Sequence, residues 1–201
     1  GISFSTYKED GSVGSVYQTD SPEYRKITQA TFLDLWRKGM IYEDKRINNW
    51  DPKLRTTIAD SEIEYKEIPS TFNDVKWKVK NSDEEIIIAT TRPELICSCG
   101  MVIFHPTDKR YKHLDGKKVV SPIFGKEILI KSHPMADPEK GSGIVMMCSA
   151  GDLSDIQFFR EEGIDTIISI NIDGTMNENA GEYKGLRVKE AREKIIEDLK
   201  T

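Results

Sequence analysis

The order of apolar and polar positions divides this chain into a helical opening, a strand-rich middle and a helical close. Ser21-Pro22 reads as an N-cap followed by proline at the first helical position. Ile27, Phe32, Leu35 and Trp36 then recur at helical spacing up to a stop at Gly39, which predicts a helix of about four turns. Asn48-Asn49-Trp50-Asp51-Pro52 is a turn cluster. Beyond it the period changes to two. Val75-Lys76-Trp77-Lys78-Val79 places Val and Trp on one face and Lys on the other, and Ile58 to Tyr65 nearly alternates as well. Segments 85–91, 101–105, 117–121, 127–131 and 143–148 are short, rich in β-branched residues and separated by Gly, Pro and Asp. Many short strands with turns between them predict a barrel or folded sheet rather than a parallel βαβ stack. Residues 152–163 predict a helix with Leu153, Ile156 and Phe159 on one face and Gly163 as its stop. A strand is expected over 165–172, and Val188, Ala191, Ile195 and Leu199 predict a closing amphipathic helix. The expected fold class is α+β, barrel-like, with helices at the periphery.

Composition narrows the class. The chain has 201 residues, enough for a sizeable core, and 29 basic against 34 acidic residues give a net charge of −5. That balance argues against a protein that coats nucleic acid through bulk charge. No apolar run approaches the ~20 residues that a membrane helix needs, and no leader pattern opens the chain. The first twenty residues, with Gly11, Ser12, Gly14 and Ser15 close together, read as a loop or weak hairpin. Cys97 and Cys99, one residue apart, are poorly spaced for a relaxed disulfide, and Cys148 makes the number odd. A reduced, cytoplasmic setting follows, with the cysteines buried as small hydrophobes. No paired Cys-x₂₋₄-Cys or His-x₃-His pattern calls for zinc.

Three stretches carry candidate chemistry. Thr90-Thr91-Arg92-Pro93-Glu94 lies where a hydrophobic strand ends, and Pro93 both stops the ladder and extends Arg92. An Arg and two hydroxyls there suit either a phosphate, ribose or carbonyl clamp, or a plain solvated strand exit. Gly141-Ser142-Gly143 precedes a strand rather than a helix and so reads as a tight turn, not a phosphate loop. In Cys148-Ser149-Ala150-Gly151-Asp152-Leu153-Ser154-Asp155 a strand ends in small residues and a helix begins with two carboxylates on one side of its first turn. They suit capping, or a site for an ammonium, a hydroxyl or an attacking water. A triad of Ser149, His105 and Asp152 has no support in the spacing.

Ala89-Thr90-Thr91-Arg92-Pro93-Glu94-Leu95 and Val102-Ile103-Phe104-His105-Pro106 resemble the editing domain of class I aminoacyl-tRNA synthetases. Gly141-Ser142-Gly143-Ile144-Val145, Gly151-Asp152-Leu153-Ser154-Asp155 and Gly174-Thr175-Met176-Asn177 fit the same family, in the same order, as do Trp50-Asp51-Pro52 and Thr57 to Tyr65. Thr-Thr-Arg-Pro-Glu and Met176 to Leu186 are most similar to the valine enzymes. The resemblance implies a loop-rich connection over 1–20 and an editing domain over 21–201, inserted in a longer synthetase whose His-Ile-Gly-His and Lys-Met-Ser-Lys-Ser signatures lie elsewhere. The chain's start at Gly1 agrees with an excised piece.

The activity implied is hydrolysis of threonyl-tRNA(Val) by a positioned water, without cofactor or metal. Partners would be the aminoacylated 3′ end of tRNA(Val) and the rest of the synthetase, with no membrane. Asp155 would bind the α-ammonium of the misattached threonine, and Asp152 would shape the side that reads its hydroxyl. Arg92, Thr90 and Thr91 would face the tRNA end. Many relatives have Lys and Thr where Met146 and Cys148 stand, and Pro-Ala-His where Ser149-Ala150-Gly151 stands. The resemblance implies Met146, Cys148 and Ser149 as further substrate-binding positions, where the Cys148 thiol or the Ser149 hydroxyl would substitute. Asp51 and Leu54 stand near where some relatives carry zinc-binding cysteines. The same domain from an isoleucine or leucine enzyme, or a non-catalytic module binding the tRNA end, are the rival readings. Lys76, Lys78 and Lys80 suit local RNA contact, or solubility and edge protection.

Overall fold

A computed structural model describes residues 20–43, 47–67 and 69–200. The chain falls into two compact units with the border between Arg46 and Ile47. In the first, helix α1 (Pro22–Arg37) starts as the sequence predicts: the Ser21 hydroxyl accepts from the Tyr24 amide at 3.2 Å, and Pro22 follows. It stops at Lys38, before Gly39 in the left-handed region (φ 68°). None of its residues is buried; Ile27, Phe32, Leu33 and Trp36 are exposed, the rings of Phe32 and Trp36 lying 6.2 Å apart. The loop or hairpin expected over the first twenty residues lies, up to residue 19, outside the described residues.

The second unit opens with a two-stranded hairpin, β1 (Asn49–Asp51) and β2 (Thr56–Ile58). The Asp51 carboxylate closes its turn by accepting from the amides of Lys53 and Leu54. A strand over 58–65 does not form. Asp60–Glu62 makes a single 3₁₀ turn instead, because Glu62 satisfies the Ala59 amide locally and, among the described residues, no neighbouring strand offers a ladder.

A six-stranded mixed sheet follows in the order β4-β3-β6-β7-β5-β8. The strands are β3 (Asn73–Val79), β4 (Glu85–Thr90), β5 (Cys99–Phe104), β6 (Lys118–Val120), β7 (Glu127–Ser132) and β8 (Ile144–Cys148). Strands β5 and β7 run parallel; the other pairings are antiparallel. The sheet curls until its two edges, β4 and β8, nearly close a barrel, where the Ala89 amide reaches the Ser142 hydroxyl at 3.4 Å. Val75, Trp77 and Val79 point into the barrel core with Ile88, Val102, Phe104, Ile130 and Ile144, as the alternation predicts. Lys76, Lys78 and Lys80 point out. Edge protection is not their role, because β3 lies inside the sheet between β4 and β6; Lys76 sits 3.9 Å from Glu85 and Lys80 2.5 Å from Glu127.

Two helices flank the barrel: α2 (Leu153–Glu161) and α3 (Val188–Asp198). Ala191 and Ile195 bury the predicted face of α3 against Met176, Ala180 and Tyr183. In α2 the buried face is Asp155, Phe158 and Phe159, whereas Leu153 is 77% exposed. The helix is thus rotated from the expected Leu153-Ile156-Phe159 stripe, and one of its inward residues is a carboxylate. The strand expected over 165–172 reduces to a single bridge, Ile170 to Met176. Side chains take the place of a ladder there: Asn177 and Asn179 both donate to the Ile168 carbonyl, at 2.8 and 2.7 Å. All three cysteines are free and buried, as expected.

Candidate functional site

Strand β4 ends at Thr90, whose buried hydroxyl accepts from the Arg92 amide at 3.0 Å and turns the chain. Pro93 then opens a 3₁₀ segment, Pro93–Ser98, in which all six residues are buried. Arg92 is held at the mouth of this turn. Its Nη1 donates to the Gly151 carbonyl at 2.5 Å and its Nε to Glu94 Oε1 at 3.4 Å. Glu94 is fully buried, and Arg192 of α3 grips it twice, Nε to Oε2 at 2.8 Å and Nη2 to Oε1 at 2.7 Å. The Arg92 side chain remains 39% exposed, so one end is fixed while part of it still meets solvent.

Across from this turn, β8 ends and α2 begins. Ala150 takes a positive φ of 54°, and Gly151 follows. A β-carbon on Gly151 would run into Asp155 Oδ2, so a larger residue here would push that carboxylate aside. The two aspartates divide the alternatives left open by the sequence. Asp152 is the cap: its Oδ1 accepts from the Asp155 amide at 2.9 Å and from the Ser154 hydroxyl at 2.6 Å. Asp155 caps nothing; it is buried and turns back to accept from the Cys148 amide at 3.0 Å.

Their protonation differs accordingly. Burial, and then the neighbouring Asp152 charge, push the Asp155 carboxyl up to about 7, although the Cys148 and Asp152 amides and the Arg92 charge oppose the rise. Burial also works against the Asp152 charge. The Ser154 hydroxyl, the amides of Asp155 and Ser154 and the charge of Lys140 outweigh it and hold that carboxyl below its usual range. One helix start thus presents one firmly ionised carboxylate and one poised near neutrality.

The structure brings Arg92, Gly151, Asp152, Asp155 and the Cys148 backbone together. Thr91 is half-buried beside them in sequence, and Met146 is half-buried against the barrel core. The Cys148 thiol lies inside that core opposite Cys99; interaction with Cys99 and then burial raise it well above an ordinary thiol. Ser149 is buried, and its hydroxyl accepts from the Ile167 amide at 2.8 Å. Beside Asp152 opens a cleft of about 1050 Å³, lined among others by Trp50, Tyr65, Gly151, Leu153 and Ile172. Its wall is braced by the Trp50 indole, which donates to the Ile172 carbonyl at 2.7 Å. Arg92 and Asp155 do not line it. Among the described residues no three His, Cys, Asp or Glu side chains converge to hold a metal ion, and no helix is long and apolar enough to cross a membrane. Glu94 and Arg192 were not signalled as site residues. Glu94 stands inside the motif itself, but nothing in sequence links it to a residue 98 positions away.

A family profile described as tRNA synthetases class I (I, L, M and V) matches residues 14–171, most of the chain. The chain belongs to this family. Within it, the chain is similar to the valine–tRNA ligases of Aeropyrum pernix, 45% identical over 90% of this chain, and Pyrobaculum aerophilum, 47% identical over 90%. It spans only 22% of the length of each, about a fifth of the curated relatives it matches. A crystal structure of a ternary complex of Agrobacterium radiobacter LeuRS with tRNA and LeuAMS shares the fold, with a TM-score of 0.52 at 20% identity. That likeness covers 90% of this chain and 31% of the other. A class I synthetase segment with a nearly closed barrel is what the quoted motifs had implied.

Proposed function

We propose that this chain is the proofreading part of a valine-type synthetase and hydrolyses threonyl-tRNA(Val). A valine pocket cannot strongly reject threonine, and this pair is the known example of weak discrimination, ~10²-fold, remedied by a second hydrolytic sieve. The observation that carries the reading is the start of α2, where a capping Asp152 and a desolvated Asp155 face the strand exit that anchors Arg92.

In this reading Asp155 receives the α-ammonium of the misattached amino acid. A carboxyl held near neutrality by burial gains most when a cation arrives, because the cation restores the charge that burial had penalised. Asp152, kept ionised by its own hydrogen bonds, orders the first turn of α2 and shapes the side that reads the threonyl hydroxyl. Arg92, with Thr90 and Thr91, faces the tRNA terminus. A water adds to the ester carbonyl, the bond from acyl carbon to ribose oxygen breaks, and that oxygen takes a proton, leaving threonine and tRNA. No acyl-enzyme is invoked: the Ser149 hydroxyl serves Ile167 and the Cys148 thiol is enclosed. The remainder of the longer synthetase would deliver the tRNA end, in the cytoplasm with the rest of translation.

The test is deacylation of tRNAs charged with Thr, Val and Ile by the 201-residue chain. Thr-tRNA(Val) should be the preferred ester, and Asp155→Ala should lose at least a hundredfold in rate while the circular dichroism spectrum is unchanged. Unaltered turnover in that variant would sink the assignment. Tight binding of a threonyl-adenosine analogue without turnover by the parent chain would show a non-catalytic module instead.

A further inference from the structure

The fully buried Glu94 has no part in the chemistry just described, yet its surroundings lead to the site. Its two oxygens are occupied from one side by Arg192, whose Nε and Nη2 bind side-on and fix the carboxylate plane. The oxygen shared with Arg192, Oε1, is also the one that Arg92 Nε approaches at 3.4 Å. With Nε so directed, Nη1 reaches the Gly151 carbonyl. Gly151 in turn is the residue against which the Asp155 carboxylate rests, close enough that a β-carbon would collide with it. Helix α3, the 3₁₀ segment Pro93–Ser98, the end of β4 and the loop before α2 are thereby joined in one polar chain.

We propose that Arg192 and Glu94 are positioning residues for this site, setting the orientation of Arg92 and through it the backbone that holds Asp155. Neither touches the reacting ester. Their effect on turnover rests on the hydrolase reading above; their effect on Arg92 and Asp155 does not. An ordinary structural ion pair would support α3 alone and leave the far end of the chain unmoved. Removing Arg192 leaves Glu94 with only the longer contact to Arg92, so the arginine is drawn toward the buried carboxylate and away from Gly151.

The experiment uses the 201-residue chain and three readouts: the Asp155 carboxyl titration by ¹³C NMR, kcat and KM for Thr-tRNA(Val), and the thermal midpoint. Arg192→Met should raise the Asp155 midpoint, because displacing the Arg92 charge removes one of the influences that oppose protonation. It should lower kcat at least tenfold with KM changed less than threefold, and Arg192→Lys should recover part of both. Should Arg192→Met fail to fold, Arg192→Lys, which keeps a cation beside Glu94 but loses the side-on pair, is expected to give a smaller shift of the same sign. A lower thermal midpoint with an unmoved Asp155 titration would reduce Arg192 to a structural role and overturn the proposal. So would an unmoved kcat in a chain whose parent deacylates Thr-tRNA(Val). A shifted titration in a chain whose parent has no deacylase activity would uphold the positioning and refute the hydrolase reading.

Discussion

Asp155 gives up hydration that an ordinary helix-start carboxylate keeps, and the consequence is measurable without any substrate. Its folded pKa, about 7, stands above the 3.8 of an ordinary aspartyl carboxyl. The folded state therefore binds this proton more tightly than the unfolded chain does. The resulting stabilisation is complete below the unfolded pKa and is lost as pH rises through 7. At 1.36 kcal/mol per unit, the loss between pH 4 and pH 8 is about 4 kcal/mol. Asn at this position keeps an oxygen for the Cys148 amide but carries no charge. Asp155→Asn should thus match the parent chain near pH 4 and exceed it by a few kcal/mol at pH 8, as read by urea denaturation; parallel profiles would show that Asp155 ionises freely. Asp152 works in the opposite sense, adding stability that is lost only in acid. From the sequence, both aspartates could be placed at a helix start and the resemblance gave them separate roles, but the difference in their protonation could not be read. It depends on which one faces inward, and that is decided by how α2 rolls on the barrel.

The roll of α2 is set by one close approach. Gly100 in β5 sits under the helix, and a β-carbon there would meet Phe159 Cζ at 2.6 Å and Ile164 at 3.4 Å. Phe159 is itself buried beside Phe158, rings 6.4 Å apart, so it has little room to withdraw. Gly100→Ala should cost about 2 kcal/mol and lower the thermal midpoint by about 4–8 °C; a change below 1 °C would mean that α2 slides without resistance. The expected stripe Leu153-Ile156-Phe159 and the observed face Asp155-Phe158-Phe159 share Phe159. A periodicity that counts apolar residues assigns Leu153 inward and Asp155 outward, and a buried carboxylate inverts that rule. Elements whose pattern carried no such exception were legible: the Ser21 cap, the Val75-Trp77-Val79 face and the Ala191-Ile195 face. Segments 58–65 and 165–172 misled because β-branched residues with alternating polarity look like strands. Whether they pair depends on a neighbour that the local sequence does not contain.

At the scale of the whole molecule, net charge limits how this chain could hold RNA under the proposed function. With 29 basic and 34 acidic residues it carries −5, and the lysines Lys76 and Lys80 of the outer sheet face already stand near Glu85 and Glu127. A broad phosphate-binding surface would need unpaired cations in a stripe. A pocket for one RNA terminus needs only to neutralise the two or three phosphates nearest the esterified end. Each phosphate contact on a single strand contributes about −0.7 to the slope of log K against log salt. The 201-residue chain should therefore bind Thr-tRNA(Val) weakly, with a slope of about −2. A microhelix ending in the same aminoacylated terminus should bind as well as the whole tRNA. Slopes steeper than about −4, or a large loss on trimming the tRNA body, would show an extended RNA surface. Affinity beyond that of the terminus would then belong to the other four-fifths of the length seen in the valine–tRNA ligases, of which this chain spans 22%. The division is physically sensible. A domain that held the tRNA body tightly would retain correctly charged product, whereas one that recognises only the terminus releases whatever its pocket does not hydrolyse.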